Sequence, residues 1–217
     1  MKNKYSHIIW DWNGTLFNDA NWCIEVMNKM LIKRNIAPIS NIQAYHSVFC
    51  FPIIEYYKNV GFDFSIEPFE TLAAEFIAAY HANKSGNSNL HTNAEAVLAA
   101  IKKNNMSQII LSASKAENLL SQLEEFHINH YFDAILGLSD IYAQSKVDIG
   151  TNYIAKNNVE KALVIGDTTH DYEVALQLGA DCLLIPSGHQ SKDTLLSCDV
   201  PVLDDIADVL KVLELSF

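Results

Sequence analysis

Ser6-His7-Ile8-Ile9-Trp10-Asp11-Trp12-Asn13-Gly14-Thr15-Leu16 is the stretch that decides the fold. The apolar run Ile8-Ile9-Trp10 stops at an acid, and a glycine follows shortly after. A short apolar run closed by a turn residue predicts a strand buried on both faces, as in a parallel sheet. Open parallel sheets bind ligands just beyond the carboxyl ends of their strands, and Asp11 stands at that exit. Gly14 lets the backbone turn tightly and turn successive N–H groups toward an anion. An aspartate there, ionised at its ordinary pKa of about 3.9, suits a nucleophile or a metal ligand. It equally suits a turn or a helix cap, where Asp and Asn are favoured.

Outward from this stretch the pattern changes twice. Between residues 19 and 84 no strand pattern appears and four helices are expected, over 19–35, 40–49, 52–60 and 68–83. Asp19 is placed to cap the first, which carries Trp22, Val26, Met30 and Ile36 near helical spacing. The fourth carries Phe69, Leu72, Phe76 and Tyr80 on one face, a stripe that reads as the module's own packing. The polar run 83–89 reads as a linker. From Thr92 onward helices and strands alternate: strands over 108–111, 134–136, 162–165, 182–185 and a short one near 200–203, with helices over 93–104, 115–127, 147–156, 171–178 and 205–213. Repeated βα units imply a parallel sheet with helices on both faces. The expected fold is α/β: a Rossmann-like parallel sheet core over residues 1–16 and 89–217, interrupted by an all-helical module over 17–88.

The 217 residues fit one large domain or two small ones, and 49% hydrophobic against 19% charged residues supplies a sizeable core. A net charge of −11 and a single arginine, Arg34, argue against a nucleic-acid partner, whose phosphates call for a basic stripe. Cys23, Cys50, Cys182 and Cys198 form no CxxC pair and read as reduced cytosolic thiols. With no signal-peptide h-region and no run of about eighteen apolar residues, a cytoplasmic protein without membrane contact is expected.

Three more strand ends carry useful chemistry. The strand at 108–111 leads into Ser112-Ala113-Ser114, whose hydroxyls and backbone N–H groups suit a phosphate, although Ser114 is also placed to cap the next helix. Lys146, ahead of a helix, would neutralise phosphate and nucleophile together if it faced them, and is otherwise a solvated surface charge. Gly166-Asp167-Thr168-Thr169-His170-Asp171 again runs a strand into acids. Either acid alone could serve a turn or cap. Converging with Asp11 they would repel unless a cation sat among them, and hard oxygen ligands suit magnesium.

These motifs, in this order along nearly the whole chain, resemble the haloacid dehalogenase superfamily, particularly its phosphoglycolate-phosphatase-like branch. The helical module falls where members with a helical cap carry theirs, and Ser187-Gly188-His189-Gln190 also looks like that branch. The resemblance implies a hydrolase of a small phosphorylated metabolite, monomeric or homodimeric, working with Mg²⁺. It implies Asp11 as the nucleophile that takes the phosphoryl group, and Ser112, Ala113, Lys146 and backbone near Trp12, Asn13 and Gly14 as phosphate holders. It implies Asp11, Asp167, Asp171 and the carbonyl of Asn13 as metal ligands.

Asn13 departs from the family pattern, which has an aspartate there to protonate the leaving group and activate water. An amide cannot transfer a proton at neutral pH, and losing a positioned acid–base costs roughly 10²–10⁴ in rate. His170 or His46 could stand in, the substrate could have a good leaving group such as an acyl or aryl phosphate, or the protein could be a slow enzyme or a non-catalytic sensor of a phosphorylated ligand. On this reading Asn13→Asp raises turnover of an alkyl phosphate several-fold. A haloacid dehalogenase proper needs no metal, against which Asp167 and Asp171 speak. A phosphonoacetaldehyde hydrolase would need a Schiff-base lysine, for which Lys58 is the candidate. Lys29, Lys33, Arg34, His46, Lys58 and His81 are the module's candidates for meeting a substrate anion.

Overall fold

The computed structural model describes residues 4–82, 89–138 and 145–216. Five parallel strands form the sheet: β1 (His7–Trp10), β4 (Ser107–Lys115), β5 (Ala134–Leu138), β6 (Ala162–Gly166) and β7 (Asp181–Leu184), in the order β5-β4-β1-β6-β7. β1 lies in the middle, paired with β4 on one side and β6 on the other, with Trp10 opposite both Ile110 and Ile165. The chain therefore leaves β1 at the centre of the sheet's carboxyl edge, where the strand order reverses and a crevice opens.

The sheet is covered on both faces because its strands are apolar at successive positions rather than at alternate ones. Ile8, Trp10, Leu163 and Ile165 pack with residues of α5 (Ala94–Lys103), α6 (Ala116–Glu125) and α10 (Asp208–Val212). Ile9, Val164, Leu111 and Leu184 pack with residues of α7 (Lys146–Asn157), α8 (Thr169–Leu178) and α9 (Lys192–Leu195). Each fully buried Ile or Leu contributes about 1.5–3 kcal/mol by leaving water, so this double layer holds the strand ends rigidly in place.

Between β2 (Phe17–Asn18) and β3 (Asn89–Leu90), an antiparallel two-residue ribbon, lie α1 (Ala20–Lys33), α2 (Ile42–Val48), α3 (Ile53–Asn59) and α4 (Phe69–Ala82). These four helices have a core of their own, with Ile24, Met27, Met30 and Leu31 meeting Tyr45, Tyr56, Tyr57 and Leu72. The fourth-helix stripe divides: Leu72 is buried in that core, while Tyr80 packs on the main one.

Several expectations change. The ribbon was not expected, since two-residue strands carry no alternation to read. The short strand near 200–203 is only a bridge between Val202 and Leu184, and the last helix begins at Asp208 rather than 205. β4 continues through Ser112-Ala113-Ser114 to Lys115 with its register shifted between Leu111 and Lys115, so these serines sit on extended backbone. Lys115 occupies the cap position of α6, and Ser114 donates instead to Asn13. Asp19 precedes α1 without a side-chain capping bond. Of the expected linker, residues 83–88 lie outside the described residues and Asn89 begins β3.

Candidate active site

Asp11 follows β1 directly, Asp167 follows β6, Asp171 lies in the first turn of α8 and Lys146 opens α7 after the capping residue Ser145. All four side chains are buried. Lys146 Nζ donates to Asp11 Oδ1 and to Asp171 Oδ1, both at 2.6 Å. Thr15 Oγ1 donates to Asp167 Oδ1 at 2.9 Å, and Thr168 donates through N–H and hydroxyl to Asp171 Oδ2. Carboxylate oxygens of Asp11, Asp167 and Asp171 lie within 4.8 Å of one another. Lys146 is thus no solvated surface charge, and Asp171 belongs to the cluster as well as to its helix turn.

Burial pushes Asp11 up to about 8, with Lys146 opposing and Asp171 and Asp167 adding to the rise. Burial also raises Asp167, to about 6, against the nearby His189 charge. For Asp171 the effect of burial is outweighed by Lys146 beside it, and its pKa falls below the ordinary carboxylate range. Three buried carboxylates face one ammonium. A hard, oxygen-preferring dication is the species that would balance such a set, so the donors fit one.

The glycines set how tightly these loops pack. Gly14, at φ +78, and Gly166 leave no room for a Cβ, which would collide with Asp167 and Asp171 respectively. The Gly14 N–H bonds Phe17 O at 2.8 Å and Asp19 Oδ1 at 3.0 Å, so this amide is turned away from anion binding. The Trp12 side chain is buried, stacked on Phe17, and donates to Gln122.

Asn13 is held on every side. Its Nδ2 donates to Asp19 Oδ2 at 2.8 Å and to Tyr80 Oη at 3.1 Å, and its Oδ1 accepts from Ser114 Oγ at 2.8 Å. Tyr80 Oη itself donates to Asp19 Oδ2 at 2.6 Å. An amide satisfies this pattern in full. Asp19 also faces His189 Nε2 at 3.4 Å, while His189 Nδ1 meets Tyr45 Oη at 2.8 Å. Burial alone would lower His189, but hydrogen bonding to Asp19 and the charge of Asp19 overcome it and push it up to about 9. Cys23 donates its thiol to Asp19 at 3.7 Å.

Sequence reasoning passed over Asp19, Tyr80, Tyr45 and the role of His189. Asp19 looked like a cap and Tyr80 like part of a packing stripe. The signal available was Ser187-Gly188-His189-Gln190, which laces the motif loops together. Ser187 Oγ donates to Gly14 O, His189 N to Asp167 Oδ2, and Gln190 Oε1 accepts from Thr169 N.

A cleft of about 400 Å³ opens between this edge and the helical insert, and Asp11, Asn13, Ser112, Ala113, Lys146, Asp167 and Asp171 line it. Of the insert's six candidate cations only His81 does. Arg34 is clamped by Glu67 and Glu75, Lys33 pairs with Glu75, Lys58 with Glu55, and Lys29 lies over the Trp22 ring. His46 bonds the Gly188 carbonyl. Lys58, half-exposed and off the cleft wall, is not placed for a Schiff base. His170 does line the cleft, stacked on Phe51 with centroids 4.9 Å apart.

A parallel α/β fold with this carboxylate-rich edge and a helical insert defines a structural class, and comparison with known proteins gives the family. Residues 8–185 match the family model described as haloacid dehalogenase-like hydrolase, and the chain belongs to that family. No curated protein matches it at a significant level. Among solved structures, a predicted phosphatase from Clostridium acetobutylicum is 21% identical with a TM-score of 0.77, over 97% of this chain and 99% of that one. A predicted phosphoglycolate phosphatase from Haemophilus somnus is 19% identical with a TM-score of 0.79, over 98% and 99%. Protein tyrosine kinase A from Mycobacterium tuberculosis is 21% identical with a TM-score of 0.82, over 98% and 99%. At such identities the likeness is one of fold, and one fold hosts several chemistries. Among the described residues no helix is long and apolar enough to cross a membrane.

Proposed function

We propose that the chain is a magnesium-dependent hydrolase of phosphoric monoesters acting on a small phosphorylated metabolite, with residues 17–88 as a cap over a core formed by 1–16 and 89–217. The observation that carries this reading is Lys146 bridging Asp11 and Asp171 at a buried sheet edge open to a cleft. Asp11 is the nucleophile. One carboxylate oxygen attacks phosphorus, the bond to the ester oxygen breaks, and that oxygen leaves with the electron pair and takes a proton from solvent. Water then attacks the aspartyl-phosphate, releasing inorganic phosphate and restoring Asp11. Lys146 and the Ser112 hydroxyl hold the phosphoryl oxygens, with backbone at Trp12 and Ala113 beside them, and fixed charges of this kind carry most of phosphoryl-transfer catalysis. Asp11, Asp167, Asp171 and the Asn13 carbonyl are the groups to hold Mg²⁺, which when bound neutralises charge on the transferring phosphoryl group.

The test is phosphate release from a panel of phosphomonoesters with Mg²⁺ and with chelator, by wild type and Asp11→Asn. Release that requires both the metal and Asp11 supports the reading. Release indifferent to Asp11, or none from any substrate, overturns it and leaves the non-catalytic sensor as the better account.

A further inference from the structure

The two walls of the cleft differ in kind. One carries the carboxylates, Lys146 and Ser112. The other comes from the insert, where all the described lining residues except Asp19 and His81 are apolar or aromatic, with Phe49, Phe51, Tyr57, Phe69, Phe76 and Ile77 among them. Three large apolar side chains on this wall stay open to solvent: Phe51 at 39%, Ile53 at 37% and Ile77 at 41% exposed. Exposed apolar groups gathered at one opening mark a binding surface. Among the described lining residues few cations are left for an acidic substrate tail. Lys146 is paired with two carboxylates, His189 with Asp19, and His81 lies against Asn118; His170 is stacked on Phe51 and burial lowers its pKa, which leaves Lys115, exposed, as the remaining lysine among the described lining residues. A carboxylate placed on this wall would lose water with only Lys115 to offset the loss and would approach Asp19.

A second observation concerns the leaving group. The position where the family resemblance implies an acid holds Asn13, whose amide is fully engaged and has no proton to give. A departing alkoxide is about as basic as hydroxide, whose parent acid has a pKa of about 15.7. A phenoxide derives from an acid of pKa about 10 and can leave with its electron pair unprotonated.

We propose that the cleft takes a phosphomonoester of a phenolic, uncharged aromatic group, the ring lying on the insert's aromatic wall and the phosphate at Asp11, rather than a carboxylated aliphatic ester. This rests on the phosphohydrolase reading above. The P–O bond to the ring oxygen breaks as the bond from Asp11 oxygen to phosphorus forms. The phenoxide takes the electron pair and picks up its proton from solvent.

The experiment compares phenyl phosphate, 2-phosphoglycolate and glycerol 3-phosphate, with acetyl phosphate as a small reference that needs no protonated leaving group and leaves the aromatic wall empty. Phenyl phosphate is expected to exceed both aliphatic esters in kcat/KM by at least about tenfold, the equivalent of burying part of one ring. Ile77→Glu, at an exposed position, is expected to raise KM for phenyl phosphate about tenfold and to lower the ratio of kcat/KM for phenyl phosphate to that for acetyl phosphate; Phe76→Ala is the second variant. Asp11-dependent hydrolysis that favours 2-phosphoglycolate, or an Ile77→Glu variant with unaltered selectivity, overturns the aromatic assignment while the phosphohydrolase reading stands. If no ester is turned over, that reading falls, and calorimetric binding of phenyl phosphate against 2-phosphoglycolate decides the aromatic wall. A tenfold preference for the ring supports it and equal affinities overturn it.

Discussion

At the sheet edge, three buried carboxylates and a buried ammonium are held by hydrogen bonds at the ends of strands covered on both faces. Across the cleft, the insert presents rings from α2, α3, α4 and the loop before α3, with Phe51, Ile53 and Ile77 open to water. The edge is stabilised by the double-sided burial of β1 and β6, so its polar groups are carried into a dry site and matched there by hydrogen bonds. The insert buries its own separate core and offers the cleft what is left of its aromatic surface. Changes at the edge should therefore remove the chemistry or the fold, whereas changes on the insert should alter selectivity or cost little.

The largest expected effect is that of Asp11→Asn, which should lower phosphate release on the order of 10⁴-fold, the scale seen when a nucleophile is removed from an active site. Steady-state rates with acetyl phosphate measure it, and rates within tenfold of wild type would break the contrast drawn here. Next, Lys146→Met leaves Asp11 and Asp171 unpaired in the interior. Breaking a buried pair costs about 3–5 kcal/mol, read as a lowered urea midpoint without Mg²⁺, and added Mg²⁺ should recover part of it.

A third prediction concerns pH. His189, pushed up to about 9 from an ordinary 6.5, binds its proton more tightly folded than unfolded. Its contribution to stability is therefore complete below pH 6.5 and disappears as the pH rises through about 9. Urea midpoints at the two ends of this window should differ in wild type and differ less in His189→Gln.

Asn13 sharpens the comparison further. Read from the sequence, Asn13→Asp simply restores an acid. In the structure the new carboxylate faces Asp19, 2.8 Å from the present Nδ2. Asn13→Asp alone should lose stability and gain no activity, and Asn13→Asp with Asp19→Asn should recover both. A double-mutant cycle should give a coupling of about 0.5–3 kcal/mol, and additive effects would contradict the network. The smallest effect belongs to Arg34→Ala on the insert. This removes a partly exposed clamp on Glu67 and Glu75, costs under about 1 kcal/mol and should leave kcat untouched.

Much of the sheet was legible because acids interrupting apolar runs are conspicuous at Asp11 and Asp167, and because β1 after His7 and all of β6 are apolar at successive positions. The four helices of the insert were legible from 3.6-residue spacing and from Pro52, Gly61 and Pro68. Lys146 was placed in the right series by its resemblance to a family motif, while its burial and its two ion pairs came from packing. Ser114, one residue ahead of the cap of α6, and Asp19, at the cap position of α1 but without a capping bond, share one reason: short polar side chains near a helix start satisfy the capping pattern whether or not they bond their own helix.

The chain by itself determined the alternation of strand and helix, the interruption after the first strand and the acids at the strand ends, since these depend on local periodicity and on where a residue type can sit. Only the tertiary structure decided that Asn13, Asp19, Tyr80 and His189 form one network, that Arg34 is structural, and that the insert's rings face the cleft. Those outcomes depend on which distant side chains share a buried volume, and hydrogen-bond satisfaction within such a volume is a property of the whole packed set rather than of any one segment.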